Sequence, residues 1–232
     1  NNKVVYIPDA VLVQYGGNGT WDNILNRPYG SFYGYVADGI FKTQEELDRH
    51  AKQDGKGLGR LRYRDINNDG IIDEKDRTWL GDPFPNFEYG LNINLAYKDF
   101  DLVMFFQGVH NIDVYNLLKV ETDFWSASDP GSNKGHRLLG AWDPVTNPGS
   151  DIPALSTTDS NNESRFSSYM IENGSYLKVR NVQLGYTLPK TTTAKIGLDR
   201  LRFYISGQNL FTIKSNSFTG FDPENVNYGY PI

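Results

Sequence analysis

The sequence predicts an all-β protein of antiparallel strands with long loops and one short helix, its strands patterned as in the wall of a transmembrane β-barrel. Three observations carry this. Two segments alternate apolar and polar residues with period two; tight turns join runs of about ten residues into hairpins; and aromatic residues, 14% of the chain with Tyr 15, Phe 13 and Trp 4, favour strands and wet interfaces.

The first hairpin is the clearest. From Phe87, residues Leu91, Ile93, Leu95 and Tyr97 point one way and Asn92, Asn94 and Ala96 the other, which predicts a strand over about 87–98. Lys98-Asp99 reads as a tight turn, and Phe100 to Gln107 as the antiparallel partner. A second hairpin is predicted from strands at about 176–188 and 201–210, the latter alternating Leu201, Phe203, Ile205 against Arg202, Tyr204, Ser206, Gln208. Each strand is long enough to cross a bilayer when tilted. A soluble β-sandwich alternates in the same way, so periodicity alone leaves both architectures open.

Residues 1–86 read differently, as a loop region with short strands. β-like pieces at Val4–Ile7, Ala10–Tyr15 and Ser31–Val36 are separated by Gly16-Gly17-Asn18-Gly19. Thr43 with Glu46 three residues later forms a capping box, predicting a helix over about 44–52 that Gly55, Gly57 and Gly59 terminate. Between the hairpins, residues 108–168 form a polar connection rich in Gly, Pro and Ser, far longer than ordinary loops. Residues 87–232 thus hold the wall strands and this long loop, and the whole reads as one partial domain.

The densest chemical signal is Asp65-x-Asn67-x-Asp69-Gly70-Ile71-Ile72-Asp73-x-x-Asp76. It fits a twelve-residue calcium loop, with side-chain oxygens from Asp65, Asn67, Asp69, Asp73 and Asp76 and the Ile71 carbonyl as candidate ligands to a structural Ca2+. Four neighbouring carboxylates repel one another unless a cation neutralises them. An Asx-rich turn that satisfies its own backbone fits the same residues. Tyr33, Phe84, Trp125 and Trp142 lie in loops where rings could stack on a glycan or peptide, although packing of loop against loop is the better explanation of any one of them.

Other chemistry is sparse. The net charge, 23 − 28 = −5, leaves no cationic surface for nucleic acid, and cysteine is absent. The three histidines, His50, His110 and His136, stand in no HExxH arrangement, and no GxSxG or phosphate-binding loop occurs, so the chain is expected not to be an enzyme. The N-terminal residues show no signal peptide, and no apolar run reaches the length of a membrane helix.

Five stretches, in order, resemble the C-terminal third of the SusC/RagA family of TonB-dependent outer-membrane transporters. They are Gly30 to Phe41; Tyr63 to Asp73 with Asp76-Arg77 and Gly81 to Pro85; Phe87 to Gly108; Asn173 to Pro189; and Ser206 to Phe211 with Gly220 to Glu224. The resemblance implies a bacterial outer-membrane location and uptake of oligosaccharide or peptide. It also implies a SusD-like surface lipoprotein as partner, and TonB acting through a plug domain that lies outside this sequence together with most of the barrel and its closing strand. The turns at Lys98-Asp99 and Pro189–Arg200 would then face the periplasm, the acidic loop and residues 108–168 the exterior. The alternative on residues alone is a soluble calcium-binding interaction module of the cell surface.

Overall fold

The computed structural model describes residues 2–6, 24–124 and 134–224, which fall into two compact units. One comprises residues up to 84 together with 113–172; the other comprises 85–112 and 173 onward to 225. The expected pieces at Ala10–Tyr15 and the turn at 16–19 lie outside the described residues, as does Trp125. Val4 is tied by backbone hydrogen bonds to Asn26 and Arg27, both 2.8 Å, without forming a strand.

The second unit is built on one four-stranded antiparallel sheet. Its strands are β5 (Phe87–Tyr97), β6 (Phe100–His110), β9 (Tyr176–Thr187) and β10 (Arg202–Lys214), in the spatial order β10-β9-β6-β5. Lys98, at φ 54°, makes the tight turn, and Tyr97 faces Phe100 across it. Two strands run longer than the sequence indicates: β6 continues to His110 and β10 to Lys214, while β5 and β9 end within a residue of the expected positions.

The reason for the extra length on β10 is a pair of nested bulges. Phe105 and Phe106 are consecutive on β6, while their partners on β9, Asn181 and Val179, have Arg180 between them. The β10 partners of those two, Gln208 and Phe211, have Asn209 and Leu210 between them. Each strand outward from β6 therefore carries one more residue than the last, which shifts the alternation and conceals the continuation of the strand.

The first unit contains smaller pieces: β1 (Phe32–Tyr35) with β4 (Arg77–Gly81), β2 (Ala37–Ile40) with β3 (Leu61–Tyr63), and a helix α1 (Gln44–Arg49). The capping box forms as its residues require: the Thr43 hydroxyl accepts from the Glu46 amide and the Glu46 carboxylate accepts from the Thr43 amide. The helix stops at Arg49, short of residue 52, because the Lys56 ammonium donates to the carbonyls of Leu47 and His50 at 2.7 and 3.1 Å and closes its C-terminal end.

The 108–168 connection is not structureless. It carries β7 (Asp113–Tyr115), paired with β8 (Ile171–Asn173), a helix α2 (Leu117–Asp123) capped by Asn116, and a 3-10 turn at His136–Gly140. Val120 and Phe124 join Ile40, Leu61, Tyr63, Trp142 and Met170 in the core of this unit.

A two-stranded sheet leaves β3 with an outer edge, and three buried side chains fill it. The Leu61 amide donates to Glu163 at 2.7 Å, and the Leu61 carbonyl accepts from Gln53 at 2.8 Å and Asn161 at 2.9 Å. The Tyr63 amide donates to the other end of the Gln53 amide at 3.0 Å. Glu163 is in turn paired with Arg60 at 2.7 Å. Replacing Gln53 with Leu strands the buried Tyr63 amide and the buried Asn161 Oδ1, which accepts from Gln53 at 2.8 Å, a cost of about 2–5 kcal/mol from two unsatisfied groups. Chemical denaturation followed by tryptophan fluorescence is expected to show this loss.

Candidate functional site

The four-stranded sheet has two chemically distinct faces. Directly paired residues share a face, so the registers place Leu91, Ile93, Leu95 and Tyr97 with Phe106, Met104, Leu102 and Phe100. The same face continues through Val182, Leu184 and Tyr186 on β9 to Phe203 and Ile205 on β10, then across the bulges to Phe211 and Ile213. Most of these side chains are open: Leu95 is 56% exposed, Tyr97 72%, Ile205 74%. A row of rings, Tyr97, Phe100, Tyr186 and Phe203, crosses all four strands at the end bearing the short turn, with Phe100 and Tyr186 4.7 Å apart. Toward the other end of β5, Phe87 and Tyr89 stack at 5.7 Å. Ten residues separate Phe87 from Tyr97 on β5, about 34 Å of strand, or roughly 26 Å of height at a tilt near 40°.

The opposite face is polar. Asn92 and Asn94 lie opposite Phe105 and Val103, and the row passes to Asn181 and Gln183 and then to Gln208 and Ser206. Near the short-turn end, Asp101 takes the Arg202 guanidinium at 3.0 and 2.5 Å. Toward the other end, a segment after β10 folds back onto the sheet: the buried Lys178 ammonium meets Asp222 at 2.9 Å and Glu224, and the Tyr176 hydroxyl donates to Glu224 at 2.6 Å. Arg180, the bulged residue, reaches Gln107 at 2.7 Å, Asn209 at 3.2 Å and Glu224. This cluster is not visible in the sequence. Its signal was charge of opposite sign in two separated stretches, Lys178 with Arg180 and Asp222 with Glu224, and nothing in the spacing joins them.

The acidic loop is ordered by its own hydrogen bonds. Asp65 accepts from the Gly70 amide (2.8 Å), Asn67 from Asp69 (3.0 Å), Asp69 from Ile71 (3.0 Å) and Asp73 from Lys75 (2.8 Å). Asp76, fully buried, accepts from the amides of Ile66 and Asp73, both 2.8 Å, and so ties the two ends of the loop. Gly70 sits at φ 85°, as a sharp turn demands. Among the described residues no three carboxylate or histidine groups stand close enough together to hold a metal ion. One carboxylate oxygen, Oδ1 of Asp65, is buried without a partner. The Ile71 side chain is 47% exposed.

The loop aromatics divide. Trp142 is 6% exposed and belongs to the core, its ring lying where a Cβ on Gly59 would stand 2.6 Å from Cε3, so neither of its faces is open to a ligand. Tyr33 packs on Trp79 at 4.9 Å, with the Arg77 guanidinium over its ring. Phe84 remains 39% exposed. Elsewhere, burial pushes the Asp123 carboxyl above its usual range, opposed by its ion pair with Arg137, while Tyr169 donates to it at 2.8 Å.

Replacing Asp76 with Ala removes both backbone tethers of the loop and leaves two amides unsatisfied. The expected loss is about 2–4 kcal/mol, read as a lower thermal midpoint by circular dichroism, whereas Asp69→Ala at the exposed rim changes it little.

Comparison with known proteins places these features. No family model matches the chain. Two proteins of Formosa agariphila, TonB-dependent receptor P3 and TonB-dependent receptor P26, are 34% identical over 86% of the chain and 31% identical over 95% of it. TonB-dependent receptor SusC of Bacteroides thetaiotaomicron is 30% identical over 82%. The chain spans only 19%, 22% and 17% of the lengths of these three relatives. Among solved structures, the RagAB peptide transporter superposes with a TM-score of 0.63 at 23% identity, covering 86% of this chain and 20% of that one. This likeness shows that the antiparallel strands have the fold of the corresponding part of such a receptor. With relatives of this kind along nearly its whole length, the chain belongs to the SusC/RagA family of TonB-dependent receptors.

Proposed function

We propose that the chain forms part of the wall of an outer-membrane importer for nutrients, with the apolar sheet face toward lipid and the polar face toward the lumen. The observation that carries this is the unbroken apolar face across four strands, exposed to a degree that water does not favour and bounded at one end by a row of aromatic rings. The height between its aromatic ends, roughly 26 Å, fits the apolar band of membrane barrels. A sandwich would cover that face with a second sheet, and the soluble-module alternative has no observation of its own in its favour.

In this reading the cargo is an oligosaccharide or a peptide, delivered beneath a SusD-like lipoprotein, and TonB acts through a part of the receptor beyond this chain. The names of the relatives, receptors throughout, support a transport role and no catalytic one. The RagAB likeness favours neither cargo, because it extends to fold alone.

The orientation is tested in the full-length receptor refolded into lipid vesicles. Leu91→Arg, on the apolar face, is expected to destabilise the heat-resistant folded band by about 2–4 kcal/mol. Asn92→Arg, one residue away on the polar face, is expected to leave it nearly unchanged. Equal losses from both substitutions would remove the assignment of faces.

We also propose that the loop Asp65–Asp76 takes a structural Ca2+, supported by the unpartnered buried Oδ1 of Asp65 and by the spacing of its acidic side chains. Asp65 and Asp69 would turn from capping amides to meeting the ion. Millimolar calcium is expected to raise the thermal midpoint of the chain by several degrees relative to EDTA, and Asp65→Asn to abolish the shift. Identical melting in calcium and EDTA would leave the loop as a self-capped turn.

A further inference from the structure

The end of the sheet that carries the short connections is also its cationic end. Lys98-Asp99 joins β5 to β6, and residues 188–201 join β9 to β10. Lys98, Lys190, Lys195 and Arg200 stand there against Asp99 and Asp199, which leaves 4 − 2 = +2 on a chain whose total is −5. None of these four cations forms a salt bridge among the described residues. At the other end of the sheet the cations are engaged: Lys178 and Arg180 with Asp222 and Glu224, and Lys214 with the Gly220 carbonyl.

Two further features put this charge beside apolar surface. The Lys98 ammonium lies 5.3 Å from the centroid of the Tyr97 ring, which heads the aromatic row on the apolar face. In the longer connection, Ile196 is 60% exposed and Leu198 44% exposed, flanking Gly197 at φ 71°. That connection is built, not loose: Thr193 is buried, and the Leu198 amide donates to the Thr193 carbonyl at 3.0 Å. An ordered turn that shows two aliphatic side chains between lysines matches a bilayer interface, where apolar groups enter the acyl boundary and long cationic side chains reach up to phosphates.

Resting on the wall reading above, we propose that this rim, formed by Lys98, Lys190, Lys195 and Arg200 with Ile196 and Leu198, binds the headgroups of anionic glycerophospholipids in the leaflet at the short-turn end. Each cation near an anionic surface favours association by about fivefold. The rim thus has enough charge to select anionic over zwitterionic lipid despite Asp99 and Asp199.

The test uses the full-length receptor in nanodiscs of phosphatidylcholine with a minor fraction of phosphatidylglycerol, and native mass spectrometry of the retained lipid. Wild type is expected to retain phosphatidylglycerol at least about fivefold above its share of the bilayer, and Lys190→Gln/Lys195→Gln/Arg200→Gln to bring it close to that share. Raising ionic strength should reduce the enrichment in wild type without any substitution, so the proposal stays testable if the triple variant folds poorly. No enrichment in wild type, or equal enrichment in a folded triple variant, overturns the rim as the site. Loss of the heat-resistant folded band in wild type would instead strike the wall reading, and this inference with it.

Discussion

A peptide group withdrawn from water has to find a hydrogen-bond partner, and the two units meet that demand by opposite means. In the sheet unit, long strands satisfy one another: each interior residue of β6 and β9 has a neighbour on both sides, and the bulges are absorbed by adding one residue per strand. In the other unit the strands are three to five residues long, too short to satisfy one another. Side chains take over there. Gln53, Asn161 and Glu163 complete the outer edge of β3, and Asp65, Asp69, Asp73 and Asp76 cap the amides of a loop. This use of side chains explains why the unit buries so much polar material. Gln53, Asn161 and Glu163 are themselves paired, which is the condition for burying them at modest cost.

That difference also decides what was legible in the sequence. The hairpin of β5 and β6 could be read residue by residue, because period two is a local property and the turn Lys98-Asp99 is two residues long. The helix α1 was equally local, through Thr43 and Glu46. Its end was not, since the closing ammonium of Lys56 lies beyond the glycine that appeared to terminate it. β10 was read short because a bulge changes the phase of the alternation, and Asn209-Leu210 looks like an ending when the partner strand is unknown. The elements at 113–123 are illegible in the sequence for another reason. Their apolar residues face a core assembled from Ile40, Leu61, Tyr63 and Met170, distant in sequence, so no short window contains the pattern.

The candidate site follows the same division. The twelve residues of the acidic loop were visible as a motif, but what each carboxylate does depended on which amide stood opposite, and spacing does not encode that. Trp142 looked like a loop aromatic because its neighbours are Pro, Gly and Ser. Its burial depends on Gly59, whose missing side chain leaves the room that the indole fills. The polar cluster of Lys178, Arg180, Asp222 and Glu224 joins residues more than forty positions apart, and its existence rests on the return of the chain after β10. Family resemblance reached further than residue patterns here. The stretches Asn173 to Pro189 and Gly220 to Glu224 both resemble the family, in its order, although nothing in their spacing gives a physical reason to connect them.

The outer margins of the sheet have a bearing on how such a wall comes into being. Among the described residues β5 and β10 each have a neighbouring strand on one side, so each turns to its other side a row of amides and carbonyls that no described strand meets. In a membrane those rows dictate which strand is added next, and growth from either margin continues until the ring closes. Before the membrane is reached the same rows are indifferent to the identity of a partner, and a second copy will do as well as the correct strand. On the wall reading, the interval before insertion is therefore the hazardous one for these strands, because their edges are then open to any partner.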